Sequence, residues 1–320
     1  VEYALGVSSG SSAIYLALKS SGISNEDEII TTPLTWIIPA NAIVANGAKP
    51  VFSDVKNDFN LDPDLIIDKI SSKTKGVLLM HYAGHMCKMD KFIEIAAKHN
   101  LDLFEDAAQA FGASLNKKKA GSFSKAAGFS MNPMKFFGGY GEAGMLVTNN
   151  KEIYDRAKRL RHAGTTSDYK QGSISNNCIE VSLNHKMDAI NASLLLVSFK
   201  HLEAKRARVE KIAKYYKDNL HQSIHHQKIF DNEIHGRYMY PIYLDQHRDE
   251  IKNHLSSLEI ETKTSNAPLV YDAPDYLKYK NENLIIAEKM LANSLMIPCN
   301  DKLSDDQVNF VVKSINTYFN

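Results

Sequence analysis

Between residue 1 and about residue 150, short apolar runs alternate with stretches of helical pattern, and this alternation limits the fold more than any other feature. The strand candidates are 3–7, 28–32, 50–54, 77–82, 103–106, 127–130 and 145–148, and the helical candidates between them are 11–21, 39–46, 62–70 and 89–99. Val77-Leu78-Leu79-Met80 is apolar at every position, as a strand covered on both faces must be. Parallel neighbours need a crossover of about a dozen residues, usually a helix. The pattern therefore predicts a doubly wound, mostly parallel α/β sheet.

After residue 150 the pattern changes. A helix is expected over 152–161, a polar Gly/Ser/Asn loop over 172–177, and one long helix from Met187 to about Leu220. A strand (237–243), a helix (248–258) and a closing pair of helices around Met296-Ile297-Pro298-Cys299 complete the chain. This predicts a large domain over 1–186, then a linking helix and a smaller α+β C-terminal domain over 187–320. A strand that begins at the first residues reads as one from which an N-terminal segment has been left off.

Bulk properties narrow the function classes. Lys plus Arg (38) and Asp plus Glu (37) nearly cancel, so no net field favours nucleic acid or an acidic membrane surface. No apolar stretch approaches the ~20 residues that span a bilayer. Cys87, Cys178 and Cys299 stand far apart, which suggests neither a disulfide framework nor a zinc site, and His85, His162 and His185 lack metal-ligand spacing. A cytoplasmic protein without a metal is expected.

Three features carry chemistry. Ser8-Ser9-Gly10-Ser11-Ser12 follows a strand and opens a helix, where free N–H groups and the helix dipole favour a phosphate. A serine-rich cap without a ligand explains that motif equally well on its own. Glu105-Asp106-Ala107-Ala108-Gln109 ends an apolar strand, where ligands of open α/β sheets gather. Pyridoxal phosphate (PLP) is an electron sink only while its pyridine nitrogen is protonated, a state that a carboxylate such as Asp106 keeps; a carboxylate capping the next helix is the alternative, and for an isolated Asp it would prevail. Glu105 points to the other side of the strand. The third feature is Lys135, between Ser130-Met131-Asn132-Pro133-Met134 and the glycine-rich 138–144. Its neighbours Met134, Phe136 and Phe137 argue against a solvated surface lysine, and a catalytic lysine is commonly presented from such a shaped loop.

In this order the motifs resemble the DegT/DnrJ family of PLP-dependent aminotransferases, which act mainly on nucleotide-linked keto sugars. The resemblance runs from Tyr3 to the C-terminus. Ser9-Gly10-Ser11 is similar to the family's phosphate turn, Thr35-Trp36 to its Thr-aromatic pair, and His81-Tyr82-Ala83-Gly84 with Met89-Asp90 to its His-x-x-Gly…Met-Asp segment. Leu183-Asn184-His185-Lys186-Met187 resembles its Asn-x-Arg/Lys-Met element.

The resemblance implies the aspartate-aminotransferase-like fold (PLP fold type I), with a mixed, mostly parallel seven-stranded sheet. It implies Lys135 as the Schiff-base lysine, Asp106 at the pyridine nitrogen, Gln109 at the ring hydroxyl and Trp36 stacked on the ring. Ser9, Gly10, Ser11 and Ser130 hold the phosphate, and Asn184 reaches the phosphate of the neighbouring subunit, so a homodimer with shared active sites is implied. The activity it implies is amino transfer from an amino acid, glutamate, to a nucleotide-linked keto sugar, with the cofactor cycling through pyridoxamine phosphate (PMP). His81 is read as a packing histidine beside the cofactor, not a base.

Departures from the family pattern fall on the substrate side. Lys117-Lys118-Lys119 reads as a solvated hairpin turn. Phe136-Phe137 replaces a more polar pair, a change that bears on the sugar pocket, and 262–266 with 271–273 replaces a His/Tyr-containing segment. The competing readings are a PLP-dependent sugar dehydratase, which Lys135 argues against because dehydrating relatives carry His there, and a non-catalytic protein of the same fold.

Overall fold

The computed structural model describes residues 1–166 and 176–319; most of the polar loop expected at 172–177 lies outside the described residues. β1 (Tyr3–Val7) leads into α1 (Gly10–Ser20), followed by β2 (Glu28–Thr31), α2 (Ile38–Ala45) and β3 (Lys49–Phe52). β4 (Thr74–Met80), α3 (Met89–His99) and β5 (Asp102–Asp106) come next, then a small hairpin of β6 (Ser114–Leu115) and β7 (Lys118–Lys119). β8 (Ala126–Ser130), β9 (Gly144–Thr148) and α4 (Lys151–Arg161) close this part. All seven expected strands join one sheet in the order β1-β9-β8-β5-β4-β2-β3. Only β9 runs against its neighbours; β8, β5, β4, β2 and β3 are mutually parallel.

The sheet is buried on both faces, as its apolar strands require. Ile30, Val77, Leu79, Leu103 and Phe92 pack on one side, and Leu5, Ile14, Leu16, Ile29 and Leu78 on the other. α1 lies directly on strand backbone: a Cβ at Gly128 would stand 2.7 Å from Ile14 Cγ1 and 3.0 Å from the Ile14 nitrogen. No side chain fits between helix and strand there.

Two expected helices differ. Residues 62–70 form only a 3₁₀ turn at Ile67–Lys69. Leu65, Ile66 and Ile67 are consecutive, so a helix could not place them on one face. The single helix expected over 187–220 is two: α5 (Ala189–Phe199) and α6 (Leu202–Asn219), broken at Lys200-His201. The break lets Phe199 meet the edge of Phe137 (centroids 5.7 Å apart) while Leu202 enters the same buried cluster.

The remaining elements are β10 (His225–His226), β11 (Glu233–Ile234), β12 (Tyr240–Tyr243), α7 (Arg248–Ser257), α8 (Ile285–Asn293), β13 (Ser294–Ile297) and α9 (Asp305–Phe319). The expected helix pair at the end is thus separated by a fully buried strand. β10-β12-β13 forms a second sheet, over a core that includes Tyr216, Ile242, Leu255, Leu295 and Ile315. Lys117 and its neighbour Asn116 both have positive φ (65° and 51°), the geometry of a tight two-residue hairpin turn, and the lysines there are exposed.

The parts on either side of residue 187 are stitched together. β11 pairs with β6, and Phe52, Phe59 and Tyr82 share a core with Leu269, Tyr271 and Met290. Asp54 caps α8 from across the chain, its carboxylate accepting the N–H groups of Ile286 (2.9 Å) and Ala287 (2.8 Å). Glu233 of β11 accepts the Met86 N–H (2.8 Å) and bonds buried His85 Nδ1 at 2.8 Å, while Asp58 faces the other ring nitrogen at 3.5 Å. Burial opposes charge on this imidazole, but Asp58 and Glu233 outweigh it and raise its pKa to about 9.

A histidine whose pKa rises on folding stabilises fully below its unfolded value, about 6.5, and loses that contribution as pH climbs through the folded one. Wild-type stability is therefore expected to fall between pH 6.5 and about 9. In Glu233→Gln that slope flattens, with stability at pH 6.5 lower by on the order of 2 kcal/mol. Urea melts at several pH values measure both; parallel pH profiles for the two proteins refute the assignment.

Candidate active site

The carboxyl ends of β1, β5 and β8 bring the predicted residues to one edge of the sheet, because these strands point the same way. At the end of β1, Ser9 caps α1: its hydroxyl accepts the Ser12 N–H (3.1 Å). Ser9 thus shapes the turn, and the first N–H groups of the helix, those of Gly10 and Ser11, have no backbone acceptor among the described residues. Gly10 abuts Ser130, where a Cβ would lie 2.6 Å from Ser130 Cβ. The turn, the helix start and the Ser130 hydroxyl therefore share one small cradle.

Asp106 ends β5, in register between Met80 and Gly128. It is buried, and the only hydrogen bond to its carboxylate among the described residues comes from the Ala108 N–H onto Oδ1 (3.0 Å). Burial pushes its carboxyl up, against the pull of the Ala108 N–H and of the positive charge of Lys135. A buried carboxylate so poorly compensated calls for a cation beside it. Gln109, also buried, uses its amide oxygen to accept the Ala83 N–H (2.6 Å), and its NH₂ group has no acceptor among the described residues.

The neighbouring acid has a different part. Glu105 accepts the Gly121 N–H (2.7 Å), the Phe123 N–H (3.0 Å) and the Ser124 hydroxyl (2.8 Å), and contacts His81 Nε2 at 2.9 Å. Burial would raise its pKa, but His81 and these donors hold it below the ordinary carboxylate range. His81 Nδ1 accepts the Cys87 N–H (3.1 Å), so Nε2 carries the proton given to Glu105. His81 is fully buried and packs as expected.

Lys135 lies in an irregular loop after β8, its N–H donating to the Asn132 carbonyl (2.8 Å). Asn191 of α5 holds the following glycines: Oδ1 accepts the Tyr140 N–H (3.2 Å) and Nδ2 donates to the Glu142 carbonyl (2.9 Å). Phe136 and Phe137 are buried among Phe111, Leu195, Leu202 and Val209. The expectation that they bear on the sugar pocket is corrected: as large apolar rings they are drawn into the core and anchor the loop, leaving Lys135 at its rim. The Lys135 ammonium stands over the ring of Tyr238, 4.3 Å from its centroid.

Two predicted residues are exposed. Trp36 is 60% exposed; Thr35 beside it is buried with an unpartnered hydroxyl. Asn184 is exposed, its Oδ1 accepting the Lys186 N–H (3.2 Å). Its loop is tied to the phosphate turn through His185, whose carbonyl accepts the Ser8 N–H (2.8 Å) and whose Nδ1 bonds the Ser12 hydroxyl (2.9 Å). Tyr238 and Asn191 escaped the sequence reading, since no motif marks them and their partners are distant in the chain; Ala83 stood inside the His-x-x-Gly segment without a role.

These features fit PLP: unpaired helix-start N–H groups beside Ser130 for a phosphate, a buried acid for a pyridinium, an amide donor for a ring oxygen, and a lysine on a shaped loop. The profile of the DegT/DnrJ/EryC1/StrS aminotransferase family matches residues 1–316. The chain is 33% identical to the GDP-perosamine synthase of Escherichia coli O157:H7, over 100% of this chain and 86% of that protein. It is 30% identical to the dTDP-3-amino-3,6-dideoxy-alpha-D-galactopyranose transaminase of Aneurinibacillus thermoaerophilus, over 99% and 86%. Among solved structures it is similar to S. venezuelae DesV in complex with a ketimine intermediate, with TM-score 0.92 and 29% identity over 99% of this chain and 85% of that one. It is also similar to NtdA of Bacillus subtilis with bound PMP, at TM-score 0.89 and 25% identity over 98% and 72%. With its fold, its cofactor-fitting residues and its sequence in agreement, the chain belongs to the DegT/DnrJ/EryC1/StrS aminotransferase family and is a PLP-dependent transaminase.

Proposed function

We propose that this chain moves an amino group from an amino acid, glutamate by family resemblance, to a nucleotide-linked keto sugar, for amino-sugar or polysaccharide biosynthesis. The observation that carries the reading is Asp106, a buried and under-compensated acid at the sheet edge where Lys135 and the phosphate cradle meet. The sugar class is supported by the relatives, a GDP-perosamine synthase and a dTDP-amino-sugar transaminase. Residues 1–186 form the cofactor-binding part, and 187–320 the linking helices and the smaller part. The free cysteines agree with a cytoplasmic setting, and no helix among the described residues is long and apolar enough to cross a membrane.

When bound, PLP supplies an electron sink for negative charge at the reacting carbon. Each protein group then has a stated task. Lys135 would anchor the cofactor covalently and, once displaced, would move a proton between the donor's α-carbon and the cofactor's C4′. Asp106 would keep the ring nitrogen protonated, and that ion pair would lower the cost of burying Asp106. The Gln109 amide would donate to the ring hydroxyl oxygen. Gly10, Ser11 and Ser130 would hold the phosphate in the turn that Ser9 shapes, and Trp36, by family resemblance, would stack on the ring.

The site is completed by a second copy. α5 buries only Asn191 and Leu195 of its apolar-rich sequence, leaving Ile190 (73%) and Leu196 (71%) exposed, and Val181 (84%) extends the patch toward Asn184. So much apolar surface on consecutive segments is the mark of an interface. A two-fold dimer brings the Asn184 loop of one copy to the phosphate of the other.

Borohydride reduction of the PLP form followed by peptide mapping should place the adduct on Lys135; an adduct on another lysine, or on none, sinks the assignment. Lys135→Ala is expected to lower the rate of PMP formation from glutamate by at least ~10²-fold. Asp106→Asn should still bind PLP but lose that half-reaction to a similar extent. Sharing of sites is tested by mixing Lys135→Ala with Asn184→Ala under subunit exchange. Each mixed dimer regains one intact site, so activity should return to about a quarter of wild type. No recovery, with exchange verified by mass, means that Asn184 serves its own chain.

A further inference from the structure

Lys135 makes no ion pair among the described residues; Asp106 feels its charge from beyond ion-pair distance, and what lies against its ammonium is the Tyr238 ring. The segment that carries Tyr238 is shaped with unusual care. Its N–H donates to the Ala83 carbonyl (3.0 Å), and Ala83 in turn gives its own N–H to Gln109. The Gly236 N–H donates to the Gly84 carbonyl (2.8 Å), and a Cβ at Gly236 would lie 3.1 Å from both Ala110 Cα and Gly84 Cα. The backbone therefore runs flat across the two turns that orient Gln109.

Between these residues, Arg237 has a left-handed φ of 51°, which is costly for a bulky side chain. The conformation is held at both ends. The Arg237 N–H donates to His235 Nδ1 (2.8 Å), and its guanidinium forks onto Glu210 at 2.7 and 2.9 Å. The turn sends residue 237 out to Glu210 and residue 238 in to Lys135. Strain held by this many contacts marks backbone shaped for a task, and at position 238 the task ends on the lysine nitrogen.

We propose that Tyr238 is a catalytic residue of the transamination, its ring face holding the Lys135 ammonium whenever that nitrogen is not joined to the cofactor. The proposal rests on the reading of Lys135 as the cofactor lysine. A ring suits this task better than a carboxylate. Its quadrupole attracts the cation without accepting the proton, and its weak grip lets the amine return to the reacting carbon. A second carboxylate would also compete with Asp106 for the pyridinium.

The test uses the full-length PMP form, in which the Lys135 amine is free, and trace acylation with acetic anhydride. Labelling at Lys135 is read by peptide mapping against exposed lysines as internal standards. Tyr238→Phe, Tyr238→Leu and pentafluorophenylalanine at position 238 are compared with wild type. Tyr238→Phe keeps the ring face and should label within about two-fold of wild type, whereas Tyr238→Leu and the pentafluoro ring should label about five-fold faster or more. The pentafluoro ring keeps the shape and removes the negative face, so it decides the matter even if Tyr238→Leu fails to fold. Wild-type labelling rates in the pentafluoro protein, or equally fast labelling in Tyr238→Phe and Tyr238→Leu, overturn the proposal. A borohydride adduct on a lysine other than Lys135 refutes the underlying reading instead.

Discussion

The site depends on one steric constraint: nothing larger than hydrogen fits between the first turn of α1 and the end of β8. Gly10 against Ser130 and Gly128 against Ile14 fix the helix on bare strand backbone. Only at that distance do the unpaired N–H groups of the helix start and the Ser130 hydroxyl meet in one cradle. The parallel run of β5 beside β8 then sets Asp106 at the same edge. Packing here is the means by which the proposed phosphate and ring-nitrogen sites acquire a fixed separation.

The polar groups of the site are sorted by what surrounds them. Glu105 and Asp106 are adjacent in sequence and both buried, yet the first collects four partners and the second one. The well-bonded acid is structural, and it keeps His81 in a single tautomer. The poorly bonded one is left with unmet electrostatic demand, which a cationic cofactor ring would satisfy. The alternation of strand side chains is enough to produce this division of labour.

The seven sheet strands were legible because each is a compact apolar run, and the proposed cofactor residues stood out because they sit in short motifs next to strand ends. Lys135, Asp106, Gln109 and Ser130 are of this kind. The misreadings have local causes: Leu65-Ile66-Ile67 is apolar without helical spacing, and Lys200-His201 breaks a helix with neither Gly nor Pro. Phe136-Phe137 was misjudged because sequence alone does not say whether a ring near a lysine faces ligand or core. What stayed hidden is long-range. Tyr238 under Lys135, Asn191 on the glycine loop and Glu233 on His85 join positions that no pattern connects, and only the folded chain brings them together.

The carboxylate of Asp54, reaching the start of α8, has a consequence for how the chain is made. A residue at the end of β3 supplies the cap for a helix more than two hundred positions later, and Phe52 and Phe59 bury themselves against Tyr271 of the same late segment. Until that segment exists, the outer strand of the sheet has an uncovered flank and a cap with no helix to close. Such contacts between distant parts of a chain slow folding and expose apolar surface meanwhile. During synthesis, the early part of this protein must wait for the last third of the chain to leave the ribosome before its own edge is finished.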